Sequence, residues 1–306
     1  MSSLIKKYQV GRFAPSPSGA LHFGSLVAAL GSFLIAKHYQ ARWLIRIEDI
    51  DPPREVAGAS DQILKQLEDF SLHWDGSVEY QSQHLDKFES IIEDLKQRHM
   101  VYACDCTRKK IATYSTRQNI KHGLYPNICA DKKLNFDGEI AYRLKHGDGD
   151  YGFFDHIQGQ CNFPNELYQE DFTIKRKDGL IAYQLAVVVD DIAQQVDHVV
   201  RGYDLLDSTP RQLRLYEMLG HTPPQYYHLP LVINDEGNKL SKQNHAPAID
   251  AKHAPKLLTS ALSFLGQQPE KGLHKEMPET IIQWATQHFE LGNIPPKAQI
   301  NLPQVI

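Results

Sequence analysis

The chain has 306 residues, 42% of them hydrophobic, and a formal charge of −4, enough apolar content to bury one large core or two smaller ones. No apolar run reaches the roughly eighteen residues of a membrane span, and the N-terminus MSSLIKKYQV lacks the features of a secretory signal, so a cytoplasmic protein without a membrane partner is expected. The acidic balance excludes a broadly basic nucleic-acid wrapper while leaving room for a local cationic patch, and four cysteines are too few for a disulfide framework in a chain this long.

In chain order, YQVGRFA supplies a strand, PSPSGA a break, LHFGSLVAALGSFLIAKHY a long helix and ARWLIRIEDID a second strand. The helix is nearly all apolar from Leu26 to Ile35, the pattern of a crossover helix packed on a parallel sheet, and the fold class is α/β. Amphipathic helical spacing runs from Ser60 to Arg98 with a Gly-containing break. From Thr107 to Phe172 the pattern turns irregular, with Asp-Gly turns and short strand-like pieces such as EIAYRLK, and this stretch reads as an insertion. LIAYQLAVVVDDIAQQVDHVVRG restores a long apolar run, and TPRQLRLYEMLG is a helix with Thr209 expected as its N-cap and Pro210 at its first position. After NKLSKQNHA come short helices broken by prolines and an extended NIPPKAQINLPQVI, with no internal repeat. The expected division is 1–103 and 173–235 as two halves of one catalytic domain, 104–172 as the insertion, and 236–306 as a polar loop followed by a short helical region.

The stretch PSPSGALHFGS, Pro15 to Ser25, falls where the first strand passes into the first helix. Such a junction points unpaired N–H groups and the positive end of a helix dipole at one place, and phosphate is the natural guest. Gly19 and Gly24 let a ligand approach the backbone, and His22 adds a donor able to follow charge as it develops. Neither a dinucleotide fingerprint nor a P-loop is present. Alone, the stretch reads equally well as a stiff βα turn. Downstream, VINDEGNKLSKQNHA places Lys239 and Lys242 on a polar loop after an Asn-Asp-Gly turn, within possible reach of phosphate oxygens. By itself that is a solvated lysine loop.

Together the two stretches resemble the HIGH-type and KMSKS-type signatures of class I aminoacyl-tRNA synthetases. GRFAPSPSGALHFGS, RIEDID, YQLAVVVDD and VVRGYDLLDSTPRQ are similar, in that order, to the glutamyl branch of the family, over Tyr8 to Ala246. Two positions depart from the signatures: Ser25 stands in place of a second histidine, and Gln243 in place of a serine. The resemblance implies a ligase with a Rossmann-like parallel sheet, using ATP, with Mg2+, to activate L-glutamate. It implies ATP binding by Pro15, Gly19, His22, Gly24, Ser25, Lys239, Ser241 and Lys242, with His22 and Lys242 catalytic. By the same resemblance Arg12 and Arg201 clamp the substrate carboxylates, Glu48 pairs with the amino group, and Ser16 and Tyr183 add hydrogen bonds. APSPSG lacks the glutamate that glutaminyl relatives carry between the prolines, which favours glutamate over glutamine.

The chain ends at Ile306, short of the large helical anticodon-binding region of full glutamyl synthetases. The resemblance is therefore best with shortened paralogues that attach glutamate to queuosine in the anticodon loop of tRNA(Asp). It implies tRNA-independent activation, the anticodon stem-loop as partner, and a monomer. An enzyme charging the 3′ end of tRNA and a catalytically silent RNA-binding paralogue are the alternatives.

Cys104, Cys106 and Cys129 lie close together within the insertion, and three Cys with a fourth oxygen or nitrogen ligand suit a tetrahedral, structural zinc. The resemblance picks Tyr125 as fourth ligand; His122 is chemically the more conventional donor, and Cys161 is a distant candidate.

Overall fold

A computed structural model describes residues 9–118, 120, 124–145, 147, 152–163, 170–240 and 247–302. The opening βαβ unit is β1 (Val10–Phe13), α1 (Phe23–His38) and β2 (Arg42–Ile47). The two strands are parallel, in register from Val10↔Arg42 to Phe13↔Ile45. The chain continues through α2 (Ala59–Asp69), β3 (Glu79–Tyr80) and α3 (Leu85–Gln97) to β4 (Val101–Cys104) and α4 (Arg108–Arg117). Next come β5 (Ala141–Leu144), the hairpin of β6 (Phe153–Asp155) and β7 (Gly159–Cys161), and β8 (Thr173–Lys175). The second half supplies α5 (Tyr183–Ala193), β9 (His198–Gly202), α6 (Thr209–Met218), β10 (Gln225–Leu229) and β11 (Leu231–Ile233). α7 (Ala254–Phe264), α8 (Pro278–His288) and β12 (Gln299–Asn301) complete the described chain.

The main sheet has the order β3-β2-β1-β9-β10-β6-β7, parallel throughout except for the β6–β7 hairpin. From β1 the chain runs outward to β2 and β3, then returns to β9 on the other side. The reversal of strand order between β2 and β9 leaves a crevice at the carboxyl ends of these strands, the place where open parallel sheets bind ligands. Helix α1 lies against β1 and β9 on one side and against α7 and α8 on the other. Being covered on both sides explains its nearly unbroken apolar run: Leu26, Leu30, Leu34 and Ile35 are fully buried.

The stretch 104–172 is divided between two sheets. Strands β4, β5 and β8 form a small antiparallel sheet, so residues 104 and 172 fall at the end of one of its strands and just before another. Strand β6 instead joins the main sheet beside β10, with Tyr226 opposite Asp155. Thr209 does not serve as N-cap: Ser208 precedes the helix, makes no side-chain cap bond, and Pro210 sits in the first turn. The Thr209 hydroxyl accepts a hydrogen bond from Arg201 instead.

Candidate active site and metal knuckle

The loop between β1 and α1 is pinned by its own carbonyls. Pro15 O accepts from Glu48 N at 3.0 Å, Pro17 O from Val56 N at 2.9 Å, and Ser16 O from Ser18 N at 2.8 Å. Gly19 has φ +127°, a conformation that only glycine adopts without strain. His22 is the N-cap of α1, its Nδ1 accepting from Ser25 N at 3.2 Å, which assigns the proton of the neutral ring to Nε2. No acidic side chain stands in the first turn of α1, so the dipole is left to attract an anion.

The described ends of the second loop lie beside the first. Leu231–Ile233 leads into the turn of Asn234 and Gly237, in which Asn238 N donates to Asn234 Oδ1 at 2.8 Å and Ile233 bridges back to Lys239. A Cβ on Gly24 would stand 3.2 Å from the His22 ring and 3.5 Å from Leu240 O, so the absence of a side chain lets the two loops meet. Farther on, Ala248 bridges to His22 and Ile249 N donates to Leu21 O at 2.9 Å. The segment carrying the KMSKS-type residues thus leaves and returns beside His22; Ser241 and Lys242 themselves lie outside the described residues. Lys239, expected at phosphate, is ion-paired with Asp204.

At the carboxyl ends of the strands, the residues expected to hold glutamate come together. Arg12 on β1 is buried and bound by Asp191 of α5 through two bonds, Nε to Oδ1 at 3.1 Å and Nη2 to Oδ2 at 3.2 Å. Arg46 on β2 donates to the same Asp191 at 2.7 Å, to Gln194 at 2.7 Å and to Glu48 at 3.3 Å. Burial alone would favour a neutral Asp191, but Arg12 and Arg46 outweigh it and hold the carboxyl below its usual range. The balance at Glu48 is opposite: burial dominates the pull of Arg46 and Arg12 and raises its pKa. Burial likewise raises the Tyr183 hydroxyl, whose charged neighbours are Arg201, Glu48, Arg12 and Asp191. Arg201 on β9 is buried too; it donates to His228 Nε2 at 3.0 Å, Gln212 Oε1 at 2.7 Å and Thr209 Oγ1 at 2.9 Å. Ser16 is exposed on the loop that follows β1.

Sequence reasoning assigned no role to three residues of this cluster. Asp191 was visible only as one half of a doubled acid in an apolar helix, although a buried carboxylate demands a cationic partner. Asp155 and His228, paired at 2.6 Å, are 73 positions apart and carry no local signal.

The cysteines of the middle segment form a second cluster. The sulfurs of Cys104, Cys106 and Cys129, all buried, lie within 4.8 Å of one another, close enough to ligate one metal ion. Tyr125 OH stands 3.3 Å from Cys104 Sγ and 3.9 Å from Cys106 Sγ, and accepts from Cys129 N at 3.0 Å. The Arg143 guanidinium lies 3.4 Å from the centre of the Tyr125 ring. Burial and then Cys129 push the Cys106 thiol up to about 12, and sulfurs this close could ionise together only with a cation among them. Cys161 is remote from the cluster, on β7 of the main sheet with its Sγ 3.5 Å from Gly159 O. His122 lies outside the described residues. Among those residues no helix is long and apolar enough to cross a membrane.

Residues 9–273 match the family described as tRNA synthetases class I (E and Q), catalytic domain. Among curated relatives, the Glutamyl-Q tRNA(Asp) synthetase of Photobacterium profundum is 48% identical over 96% of this chain and 93% of its own length. That of Vibrio vulnificus is 48% identical over 95% of this chain and 93% of its own. Among solved structures, a glutamate tRNA ligase from Elizabethkingia meningosepticum superposes with a TM-score of 0.79 at 23% identity, covering 97% of this chain and 67% of that one, a likeness of fold. With the described ends of the second signature loop beside His22 and the arginine cluster at the carboxyl ends of the sheet, the chain belongs to the class I tRNA synthetase family, in its E and Q catalytic-domain branch, and is a ligase of the aminoacyl-tRNA synthetase type.

Proposed function

We propose that this chain activates L-glutamate with ATP, without needing tRNA, and then transfers the glutamyl group to queuosine in the anticodon loop of tRNA(Asp). The observation that carries the reading is the convergence of Arg12, Glu48, Tyr183 and Arg201 beside the His22 loop. Two arginines, one carboxylate and a hydroxyl are what a substrate with two carboxylates and an ammonium needs. The name shared by the relatives, Glutamyl-Q tRNA(Asp) synthetase, supplies the acceptor.

In the first step a carboxylate oxygen of glutamate attacks the α-phosphorus of ATP and pyrophosphate leaves. The first turn of α1, Gly19 and Gly24 receive the phosphates together with Mg2+, and His22 Nε2–H donates to charge that grows in the transition state. Lys242, with Lys239 and Ser241, steadies the departing pyrophosphate, so Lys239 exchanges its Asp204 partner for phosphate. Arg12 keeps Nη1 for substrate while Asp191 fixes its other two nitrogens. In the second step a hydroxyl of the queuosine cyclopentenediol attacks the activated carbonyl, forming an ester and releasing AMP. Cys104, Cys106, Cys129 and Tyr125 would hold one structural zinc, which would order the segment around the small sheet. The protein acts as a cytoplasmic monomer.

The test uses ATP, labelled glutamate and tRNA(Asp) with or without queuosine, followed by mapping of the label. Label confined to the queuosine-containing anticodon loop supports the reading. Label on the 3′ adenosine makes the chain an ordinary charging enzyme, and no glutamate-dependent pyrophosphate exchange makes it a silent paralogue. In that exchange Lys242→Ala lowers turnover more than substrate affinity; wild-type activation by this variant would refute the role of the loop.

A further inference from the structure

The buried arginines of the pocket are held in two different ways. Arg12 and Arg46 share the carboxylate of Asp191, and Arg46 also binds Glu48. Arg201 has only neutral acceptors among the described residues: an imidazole nitrogen, an amide oxygen and a hydroxyl. Its guanidinium is fixed by three bonds without being neutralised.

One of those acceptors needs a guard. An imidazole accepts through Nε2 only when its proton sits on Nδ1. His228 Nδ1 lies 2.6 Å from Asp155 Oδ2, and a carboxylate accepts only, so the ring proton is held there. Asp155 is itself immobilised: its Oδ1 accepts from Ile157 N at 3.0 Å and Gln158 N at 2.8 Å, and its Oδ2 from His228 N at 3.1 Å. Asp155 and His228 are both fully buried. The carboxylate arrives on β6, from the middle segment, which thereby reaches under the glutamate pocket through the main sheet.

We propose that Asp155 and His228 are positioning residues for the substrate: Asp155 locks His228 as the Nδ1–H tautomer, whose Nε2 fixes Arg201 while leaving its charge for a carboxylate of glutamate. The proposal rests on the reading of Arg201 as a glutamate ligand. A carboxylate in the place of His228 would hold the arginine equally well but would cancel the charge the substrate needs. Burial, reinforced by Arg201, lowers the His228 pKa against the pull of Asp155 and Asp204, in keeping with a ring that stays neutral.

Three measurements test it. Nitrogen-15 spectra of the His228 ring in the intact protein should report the Nδ1–H tautomer across about pH 6 to 8; an Nε2–H or doubly protonated ring overturns the proposal. In Asp155→Asn the introduced amide can donate to Nδ1, switching the tautomer so that Nε2–H faces the Arg201 N–H. Glutamate KM in pyrophosphate exchange should then rise at least ~10-fold while ATP KM stays within about twofold. Equal loss for both substrates would mean a merely structural role, and no loss would mean none. Should Asp155→Asn fail to fold, His228→Gln and His228→Phe replace it: the amide oxygen can accept from Arg201 and should rescue glutamate KM relative to phenylalanine. Equal values for the two overturn the proposal. Arg201→Ala is the reference. If it leaves glutamate KM unchanged, the glutamate reading of Arg201 falls and takes this proposal with it; if it raises KM while the Asp155 and His228 variants do not, only the positioning role falls.

Discussion

The β1–α1–β2 unit and the cysteine knuckle beside β4 and β5 both fix chemistry-bearing side chains, by opposite means. In the first, Trp43 is fully buried, stacked on Phe13 at 6.4 Å and edge-on to Phe33 at 5.2 Å, with Nε1 donating to Ser32 Oγ at 3.0 Å. That unit shares the largest apolar cluster of the protein, so Arg12 and Glu48 stand on a platform already rigid without any ligand. The knuckle has a cluster of only Tyr102, Cys104, Cys106, Tyr125, Cys129 and Ala141 at its centre. Its polar ties include the Arg143–Tyr125 stack, Tyr102 OH donating to Asp171 at 2.7 Å, Tyr125 N donating to Glu170 at 3.0 Å, and Lys110 and Lys132 converging on Asp105. Ile111, Ile128, Ala130 and Leu134 pack against it only half-buried, and a metal held by Cys104, Cys106 and Cys129 would add the ordering that so small a cluster lacks. Position can be fixed by apolar area or by a few strong ligands, and the two fail differently.

Metal removal gives the largest contrast. Purified protein should carry close to one zinc per chain, and a structural zinc contributes on the order of 10 kcal/mol to the fold it organises. Chelation, or Cys104→Ser, should therefore abolish amide-exchange protection around residues 101–104 and 124–144, while β1, α1 and β2 keep theirs. Loss of protection in both regions at once would show that the knuckle and the catalytic sheet fold as one unit. Undiminished zinc in Cys104→Ser would remove Cys104 from the ligand set, and Tyr125→Phe should weaken retention without abolishing it.

Trp43→Ala tests the other region. Emptying that site should cost about 3 to 5 kcal/mol across the whole protein, seen as a lower denaturation midpoint with an unchanged slope. Zinc content should stay the same. Asp191→Asn should come next at about 3 to 5 kcal/mol, because two buried guanidiniums lose their common carboxylate. It should also raise glutamate KM, since Arg12 is no longer oriented. A drop in stability with unchanged KM would separate Arg12 from the substrate.

Legibility followed the same division. The βαβ unit could be read because its strand, loop and apolar helix are contiguous, and the placement of His22 at the start of α1 and of Glu48 just past β2 came with it. The grouping of three cysteines was legible from spacing for the same reason. What escaped the sequence is set by contacts between distant segments. Strands β6 and β7 have three residues each, too short for an alternation pattern, so their joining of the main sheet was invisible. Thr209 looked like an N-cap because a hydroxyl before Pro210 usually is one, yet Arg201 claims that hydroxyl from eight positions away. Asp190 and Asp191 are neighbours in sequence with different partners: Asp190 binds Gln81 at 3.0 Å and His84 at 2.7 Å, while Asp191 binds the arginines. Only the packed helix distinguishes them.

The smallest effect on stability should come from the residue with the largest effect on function in the apolar unit. Glu48 is buried, and burial outweighs Arg46 and Arg12 in raising its pKa above the ordinary 4.5. The folded protein therefore binds this proton more readily than the unfolded chain does. By linkage its contribution to stability is complete below 4.5 and is lost as pH rises toward the folded-state value. In its ionised form the buried carboxylate is a stored cost, which a substrate ammonium would offset on binding. Glu48→Gln keeps an oxygen for Arg46 and removes that cost, so its stability at pH 7 should equal wild type or exceed it by up to about 1 kcal/mol. The decline of stability between pH 4.5 and the folded-state value should vanish in the variant. Glutamate activation should fall steeply in the same protein, because the ammonium then meets a neutral amide. Thermal melts across that pH range, run beside pyrophosphate exchange, check both halves. A variant less stable than wild type at neutral pH would show that Glu48 serves Arg46 before it serves the substrate.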